Sequence, residues 1–181
     1  MIEDKLLILR FKQGRHDALR QIYDKYKVDL LRLAVVLIGD PNTAEDIVHD
    51  VFVRFARLAQ SIKLTGSLKN YLVTSVINGV RNHLRHSKRH PEANLDGAEL
   101  LASTERGPRQ WAVLDEQLTL LSRALQDIPY EQREVICFRI EMDMTFRQIA
   151  MRQSTSVNTV RGRYRYGIIK LRSLLNGEVE K

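Results

Sequence analysis

The stretch "SKRHPEANLDGAELLASTERGPR", residues 87–109, interrupts a helical pattern that otherwise runs along most of the chain. It holds two Pro, two Gly and four charges of each sign, a composition that makes a connecting segment rather than a core element. A chain of 181 residues divided there leaves two short units, each long enough for three or four helices. No alternating strand pattern stands out on either side. The expectation is an all-α protein: two small helical domains joined by a flexible linker, the second ending in a helix-turn-helix. The first domain is expected at 1–88, the linker at 89–110 and the second domain at 111–181.

Punctuation residues place the helices. Gly14 separates an opening helix, 3–13, from a second one starting near Asp17, whose apolar residues Leu19, Ile22, Tyr23, Tyr26, Leu30, Leu33, Ala34 and Leu37 recur at steps of three and four. In "GDPN", Gly39 ends that helix, Asp40 caps the next and Pro41 takes its first position. The third helix carries Ala44, Ile47, Val48, Val51, Phe52 and Phe55 on one side and Glu45, Asp46 and Asp50 on the other. After a polar loop at 61–66, Ser67 caps a fourth helix with Leu68, Tyr71, Leu72, Val76, Val80 and Leu84 on one face. Beyond the linker the pattern predicts helices over 111–126 and 131–141, then two more joined by a turn near "QSTS".

Charge is unevenly placed. The chain has 29 Lys and Arg against 22 Asp and Glu, a net +7. The 41 residues from Val51 to Pro91 contain no acid, nor do the 34 residues from Met144 to Gly177. A solvated surface ordinarily mixes both signs, so two acid-free tracts point to two surfaces that meet a polyanion. Cys137 is alone in an apolar run, which rules out a disulfide framework and fits a buried small hydrophobe in a reducing compartment. No run reaches the roughly 18 apolar residues of a membrane span or has the form of a signal peptide, so a cytoplasmic chain without direct membrane insertion is expected.

The second tract contains "TFRQIAMRQSTSVNTVRGRYRYGIIKLR". Thr145 can cap a short helix and Ser156 a longer one, giving a helix-turn-helix. Val157, Val160, Tyr164, Ile168, Leu171 and Leu175 form the inner stripe of the longer helix, leaving Asn158, Arg161, Gly162, Arg165 and Arg172 outside. The start of such a helix enters the major groove, where Arg pairs with guanine and Asn with adenine. The bland alternative is a merely solvated basic face.

Here a resemblance appears. "LQDIPYEQREVICFRIEMDMTFRQIAMRQSTSVNTVRGRYRYGIIKLR" resembles region 4 of bacterial sigma factors of the extracytoplasmic-function type. "LRQIYDKYKVDLLRLAVVLIGDPNTAEDIVHDVFVRFAR" followed by "SLKNYLVTSVINGVRNHLR" resembles their region 2. Order and spacing agree over nearly the whole chain, and no region 3 fits between. The resemblance implies a non-enzymatic protein without cofactor that binds core RNA polymerase, through the beta-prime coiled coil and the beta flap, and promoter DNA, and that an anti-sigma factor holds inactive. It implies polymerase binding by Glu45, Asp46, His49, Asp50 and Phe52. It implies minus-ten DNA contacts from Lys63, Lys69, Asn78, Arg81, Asn82, Arg85, Lys88 and Arg89, with a flipped base held by loop 61–66. It implies minus-thirty-five contacts from Arg147, Ser156, Asn158, Thr159, Arg161, Gly162, Arg163, Arg165 and Lys170.

Some positions depart from that pattern. The turn has Gln153, Ser154 and Thr155 where the family has Leu-Gly and an aliphatic residue, so Ser must adopt a left-handed conformation or the turn another geometry. His49 stands where Gln is common, and Tyr71 replaces a common Trp, as core aromatic or stacking platform. His83, His86 and His90 could share a helix face, but neighbouring cations and the lack of nearby Cys or carboxylate argue against a metal. The competing reading is a stand-alone helix-turn-helix regulator; it leaves the first acid-free tract and the acidic start of the third helix unexplained. The chain reaches only a few residues past Arg172, so no regulatory C-terminal extension is expected.

Overall fold

The computed structural model describes residues 2–58, 67–89 and 116–179. The linker centre, the loop at 61–66 with Lys63, His90 and residues 111–115 lie outside the described residues, as does the side chain of Lys88. Eight helices make up the described chain: α1 (Ile2–Lys12), α2 (His16–Ile38), α3 (Pro41–Leu58) and α4 (Leu68–Arg89) in the first half, then α5 (Glu116–Gln126), α6 (Tyr130–Met142), α7 (Phe146–Arg152) and α8 (Val157–Val179) in the second. No strand occurs among the described residues. None of the helices is long and apolar enough to cross a membrane.

The punctuation acts as the sequence predicts. Gly39 ends α2 in the left-handed region at φ 83° and returns its N–H to Val35 O. The Asp40 carboxylate accepts the Thr43 N–H at 2.8 Å, Ser67 Oγ accepts the Asn70 N–H at 3.1 Å, and Ser156 Oγ accepts the Thr159 N–H at 3.0 Å. Thr145 and Gln148 form a reciprocal capping box at the start of α7. In the turn between α7 and α8, Ser154 takes the left-handed conformation, φ 51°, that a glycine-free turn demands. One boundary and one stripe position differ from expectation. α4 continues through Arg89 because nothing before Pro91 breaks it, and Leu174 rather than Leu175 completes the inner stripe of α8.

Around α2 gather α1, α3 and α4 from its own half and α5 and α6 from the other. Its last turns, "LAVVL", are buried all round: Leu33, Ala34, Val35, Val36 and Leu37. A helix apolar on every side must be covered on every side, and here the second half supplies the missing cover. The buried side chains of both halves accordingly form one continuous cluster, from Leu7 to Val160. Cys137 sits within it, and burial pushes its thiol up to about 12, so it is an inert core residue.

Polar bonds stitch this contact at the end of α2, where helix geometry leaves carbonyls without partners. Gln126 Nε2 donates to Val36 O at 2.9 Å and Arg133 Nη1 donates to Leu37 O at 2.8 Å, with a further bond from Arg133 to Gln126 Oε1. Burial lowers the pKa of Arg133 from the ordinary guanidinium range, yet it stays cationic and faces the negative end of the α2 dipole. A side chain at Gly39 would meet Gln126 Cδ at 2.7 Å, so this glycine serves both the left-handed turn and the close approach of the second half.

Candidate nucleic-acid and polymerase interfaces

Three surfaces collect the residues singled out by the sequence. The first is the start of α8. Asn158, Thr159, Arg161 and Arg165 are exposed on its outer side, and Arg147 of α7 and Lys170 farther along α8 are exposed as well. Arg165 lies over the Tyr166 ring at 5.0 Å and donates to its hydroxyl at 3.2 Å, which steadies an otherwise mobile side chain. Ser156 is the N-cap, its hydroxyl engaged by Thr159, and Gly162 is half-buried with open space where a Cβ would project. Arg163 differs from its neighbours. It is half-buried and donates to Gln153 Oε1 at 2.7 Å, so it turns back toward the turn rather than outward.

The second surface is the outer side of α4. Asn78, Asn82, Arg85 and Arg89 are exposed at steps of three and four. Between α3 and α4 an open cavity of about 150 Å³ is lined by Arg54, Leu58, Tyr71, Ser75, Asn78 and Asn82. Gly79 lets the helices close beside it, since a Cβ there would meet Ile47 Cγ2 at 2.8 Å. Arg54 and Ser75 belong to this cavity but were not singled out from the sequence; the signal was available, because Ser75 precedes Asn78 and Asn82 by three and seven residues. Tyr71 is half-buried against Phe55, ring centres 5.9 Å apart, as a core aromatic would be.

Two cations of the same helix are placed differently. Arg81 donates through Nη2 at 2.7 Å and Nε at 3.2 Å to Glu134 Oε1 of α6. Burial works against the Arg81 cation, but the charge and hydrogen bonds of Glu134 outweigh it and raise its pKa. Lys69 lies 3.5 Å from Glu141 Oε2, also on α6. His83 Nε2 is 3.4 Å from Ser87 Oγ, and no group of three or more metal-ligating side chains occurs among the described residues.

The third surface lies on α2 and α3. Asp46, His49 and Asp50 are exposed, and Glu45 is half-buried. An open depression of about 410 Å³ beside them is lined by Leu19, Tyr23, His49, Phe52, Val53 and Ala56. Phe52 falls on the inner stripe of α3, as helical spacing predicts: it is 6 % exposed and packs edge-on to Tyr23 at 4.8 Å. Its contribution is the apolar floor of the depression.

Comparison with known proteins relates the chain as a whole to one family. Residues 22–90 match the family described as Sigma-70 region 2, and residues 124–173 match Sigma-70, region 4. The RNA polymerase sigma-H factor of Pseudomonas aeruginosa is 24 % identical over 170 residues, spanning 89 % of this chain and 88 % of the relative. The ECF RNA polymerase sigma-E factor of Escherichia coli K12 is 23 % identical over 189 residues, spanning 99 % of this chain and 95 % of the relative. The fold is similar to that of CnrH, solved in complex with the cytosolic domain of CnrY, at 20 % identity, 97 % of this chain, 98 % of that chain and a TM-score of 0.63. It is also similar to that of the sigma factor RpoE of Bartonella quintana, solved with the anti-sigma factor NepR, at 23 % identity, 87 % of this chain, 98 % of that chain and a TM-score of 0.60. With both regions present in order along the chain, the protein belongs to the sigma-70 family as a sigma factor of the extracytoplasmic-function type, a factor for promoter-specific initiation of transcription.

Proposed function

We propose that the first half, about 1–88, binds core polymerase and opens the minus-ten element, while the second, about 111–181, reads the minus-thirty-five element through α8. The observation that carries this reading is the exposed start of α8: Asn158, Thr159, Arg161 and Arg165 project from a capped helix within a tract free of acids. Asn158 and Arg161 read base edges in the major groove, and Arg147 and Lys170 hold phosphates. On α4, Asn78, Asn82, Arg85 and Arg89 track the unpaired strand, with the α3–α4 cavity accepting part of a base. On α3, Asp46 and Asp50, four residues apart on one face, pair with cations of the beta-prime coiled coil, while the depression over Phe52 takes an apolar side chain. The second half meets the beta flap. The factor works in the cytoplasm and catalyses no covalent step itself. The two solved relatives bind CnrY and the anti-sigma factor NepR, so an anti-sigma factor is the expected inhibitor here too.

The test is transcription in vitro with core polymerase on genomic DNA, mapping start sites. Start sites sharing one pair of upstream elements are expected. Charge reversal at both Asp46 and Asp50 should abolish association with core polymerase while leaving the helical content intact. A wild-type chain that binds duplex DNA tightly but ignores the polymerase would overturn the reading.

A further inference from the structure

α4 carries two neighbouring rows at four-residue spacing. Leu68, Leu72, Val76, Val80 and Leu84 form the expected inner stripe, packed in the core. Lys69, Val73, Ile77 and Arg81 form the second, in which Val73 and Ile77 are also buried and the flanking cations both meet acids of α6. Thr74, beside that row, accepts a hydrogen bond from Arg152 Nη1 of α7 at 3.0 Å. The second half therefore lies along Lys69 and Arg81, which the resemblance to region 2 gives to minus-ten DNA, beside the exposed side of α4 that the proposed function assigns to it.

Glu134 is the hub of this contact. It is 2 % exposed, and its carboxylate receives Arg81 through two nitrogens, the Tyr130 hydroxyl at 3.0 Å and Gln153 Nε2 at 2.6 Å. Gln153 in turn accepts from Arg163 of α8. One carboxylate thus ties α4 to α6, to the turn of the helix-turn-helix and, through Gln153, to α8. Around it a cleft of about 410 Å³ between the halves is lined by Arg81, Arg85, Arg152 and Arg163 against only Glu131 and Glu134. Four guanidiniums gathered at one place repel one another, and the acid from α6 is what makes the gathering tolerable. Arg81 places Nε and Nη2 on a single carboxylate oxygen, Oε1, as it would on one anionic oxygen of a backbone phosphate. Excess positive charge around the cleft draws in polyanion, which can replace that carboxylate.

We propose that Glu134 acts as an internal phosphate mimic that latches the second half over Lys69 and Arg81, so that the free chain is closed and part of its minus-ten surface is occupied by its own acid. The inference rests on the assignment of α4 to DNA. Opening exchanges Glu134 for promoter phosphate, and apparent affinity for DNA falls in proportion to the fraction of chains that are closed.

The experiment compares full-length wild type, Glu134→Gln and Glu141→Gln by small-angle scattering and by binding of a single-stranded oligonucleotide carrying the non-template minus-ten sequence. A second arm uses Thr74→Cys/Arg152→Cys closed by a short, cleavable bis-maleimide, with buried Cys137 left unmodified. Glu134→Gln is expected to expand the particle and to bind the oligonucleotide about ten-fold more tightly, with a smaller change for Glu141→Gln. The cross-linked chain should bind about ten-fold more weakly until the linker is cleaved. Unchanged scattering with unchanged affinity, or cross-linking without effect on binding, overturns the latch. Expansion without a gain in affinity shows that the contact exists but occludes nothing, which also overturns it. If Glu134→Gln does not fold, the cross-linked chain decides. Failure of every form, including the complex with core polymerase, to bind the oligonucleotide would instead refute the DNA assignment of α4.

Discussion

α4 and α8 are basic helices of 22 and 23 residues, and each lies in a tract without carboxylates apart from the last residues of α8. Their cations nevertheless meet the rest of the chain in different ways. On α8, Arg161, Arg165 and Lys170 point away from the body. On α4, Arg81 and Lys69 are matched with Glu134 and Glu141, acids that stand 53 and 72 residues further along. An acid-free tract leaves its cations to be matched from elsewhere, but it does not say whether the matching anion is foreign or is supplied by the same chain. The difference arises because α4 packs on both sides, against α2 and α3 in its own half and against α6 in the other. α8 rests on α5, α6 and α7 through one inner stripe and leaves the opposite side free.

The comparison is broken most directly at Arg133. Its guanidinium joins the C-terminal end of α2 to the second half, and truncation leaves Leu37 O buried and unpaired. Arg133→Ala should cost about 3 kcal/mol, read from urea denaturation, since a charged donor is lost and a buried acceptor is left without a partner. With this anchor gone, the covered row of α4 should become as accessible as α8, which hydrogen exchange of α4 amides would register. Loss of stability without faster exchange along α4 would show that the two helices differ for reasons other than the cover.

Paired substitutions sharpen the contrast. Arg81→Ala strands a buried carboxylate and should destabilise the fold by about 2 kcal/mol, less than for a fully buried pair because the Arg81 side chain is 26 % exposed. Arg161→Ala touches no such partner and should stay within about 0.5 kcal/mol of wild type. In promoter binding, Arg161→Ala should lose about 1–3 kcal/mol of discrimination at particular minus-thirty-five bases. Arg163, held by Gln153, should give a smaller and nearly sequence-independent loss when truncated. Thermal melts together with binding to single-base promoter variants would check all three. Equal stability losses for Arg81→Ala and Arg161→Ala would erase the distinction.

Much of the fold was legible because its signals are local. Gly39, Asp40, Ser67, Thr145 and Ser156 act over three or four residues, and each does what its chemistry predicts. The inner stripes of α2, α3 and α4 followed from helical spacing for the same reason. What was not legible is the contact between the halves, which depends on pairs separated by 53 to 96 residues, such as Arg81 with Glu134 and Arg133 with Leu37. Its traces were present in the wholly apolar "LAVVL" and in Val73 and Ile77 between the cations of α4, each exceeding what a single buried stripe requires. Periodicity shows that such residues need cover, without saying what provides it. Likewise, the outer face of α8 could be read from its sequence, whereas the inward turn of Arg163 depended on the conformation of Gln153.

The smallest expected effect concerns Ser154, in the turn that presents α8. Its φ of 51° costs about 1 kcal/mol in a residue with a side chain, and glycine would remove that strain. Glycine also widens the unfolded ensemble, which takes back about half of the gain. Ser154→Gly should therefore stabilise the protein by about 0.5 kcal/mol, raising Tm by about 1–2 °C for a chain of this size. The substitution leaves Gln153 and its bonds to Glu134 and Arg163 in place, so it should alter neither the contact over α4 nor the outward face of α8. A rise in Tm accompanied by changed affinity for the minus-thirty-five duplex would mean that the left-handed serine tunes the angle at which α8 enters the groove. In that case the turn, and not only the outer cations, would belong to the recognition surface.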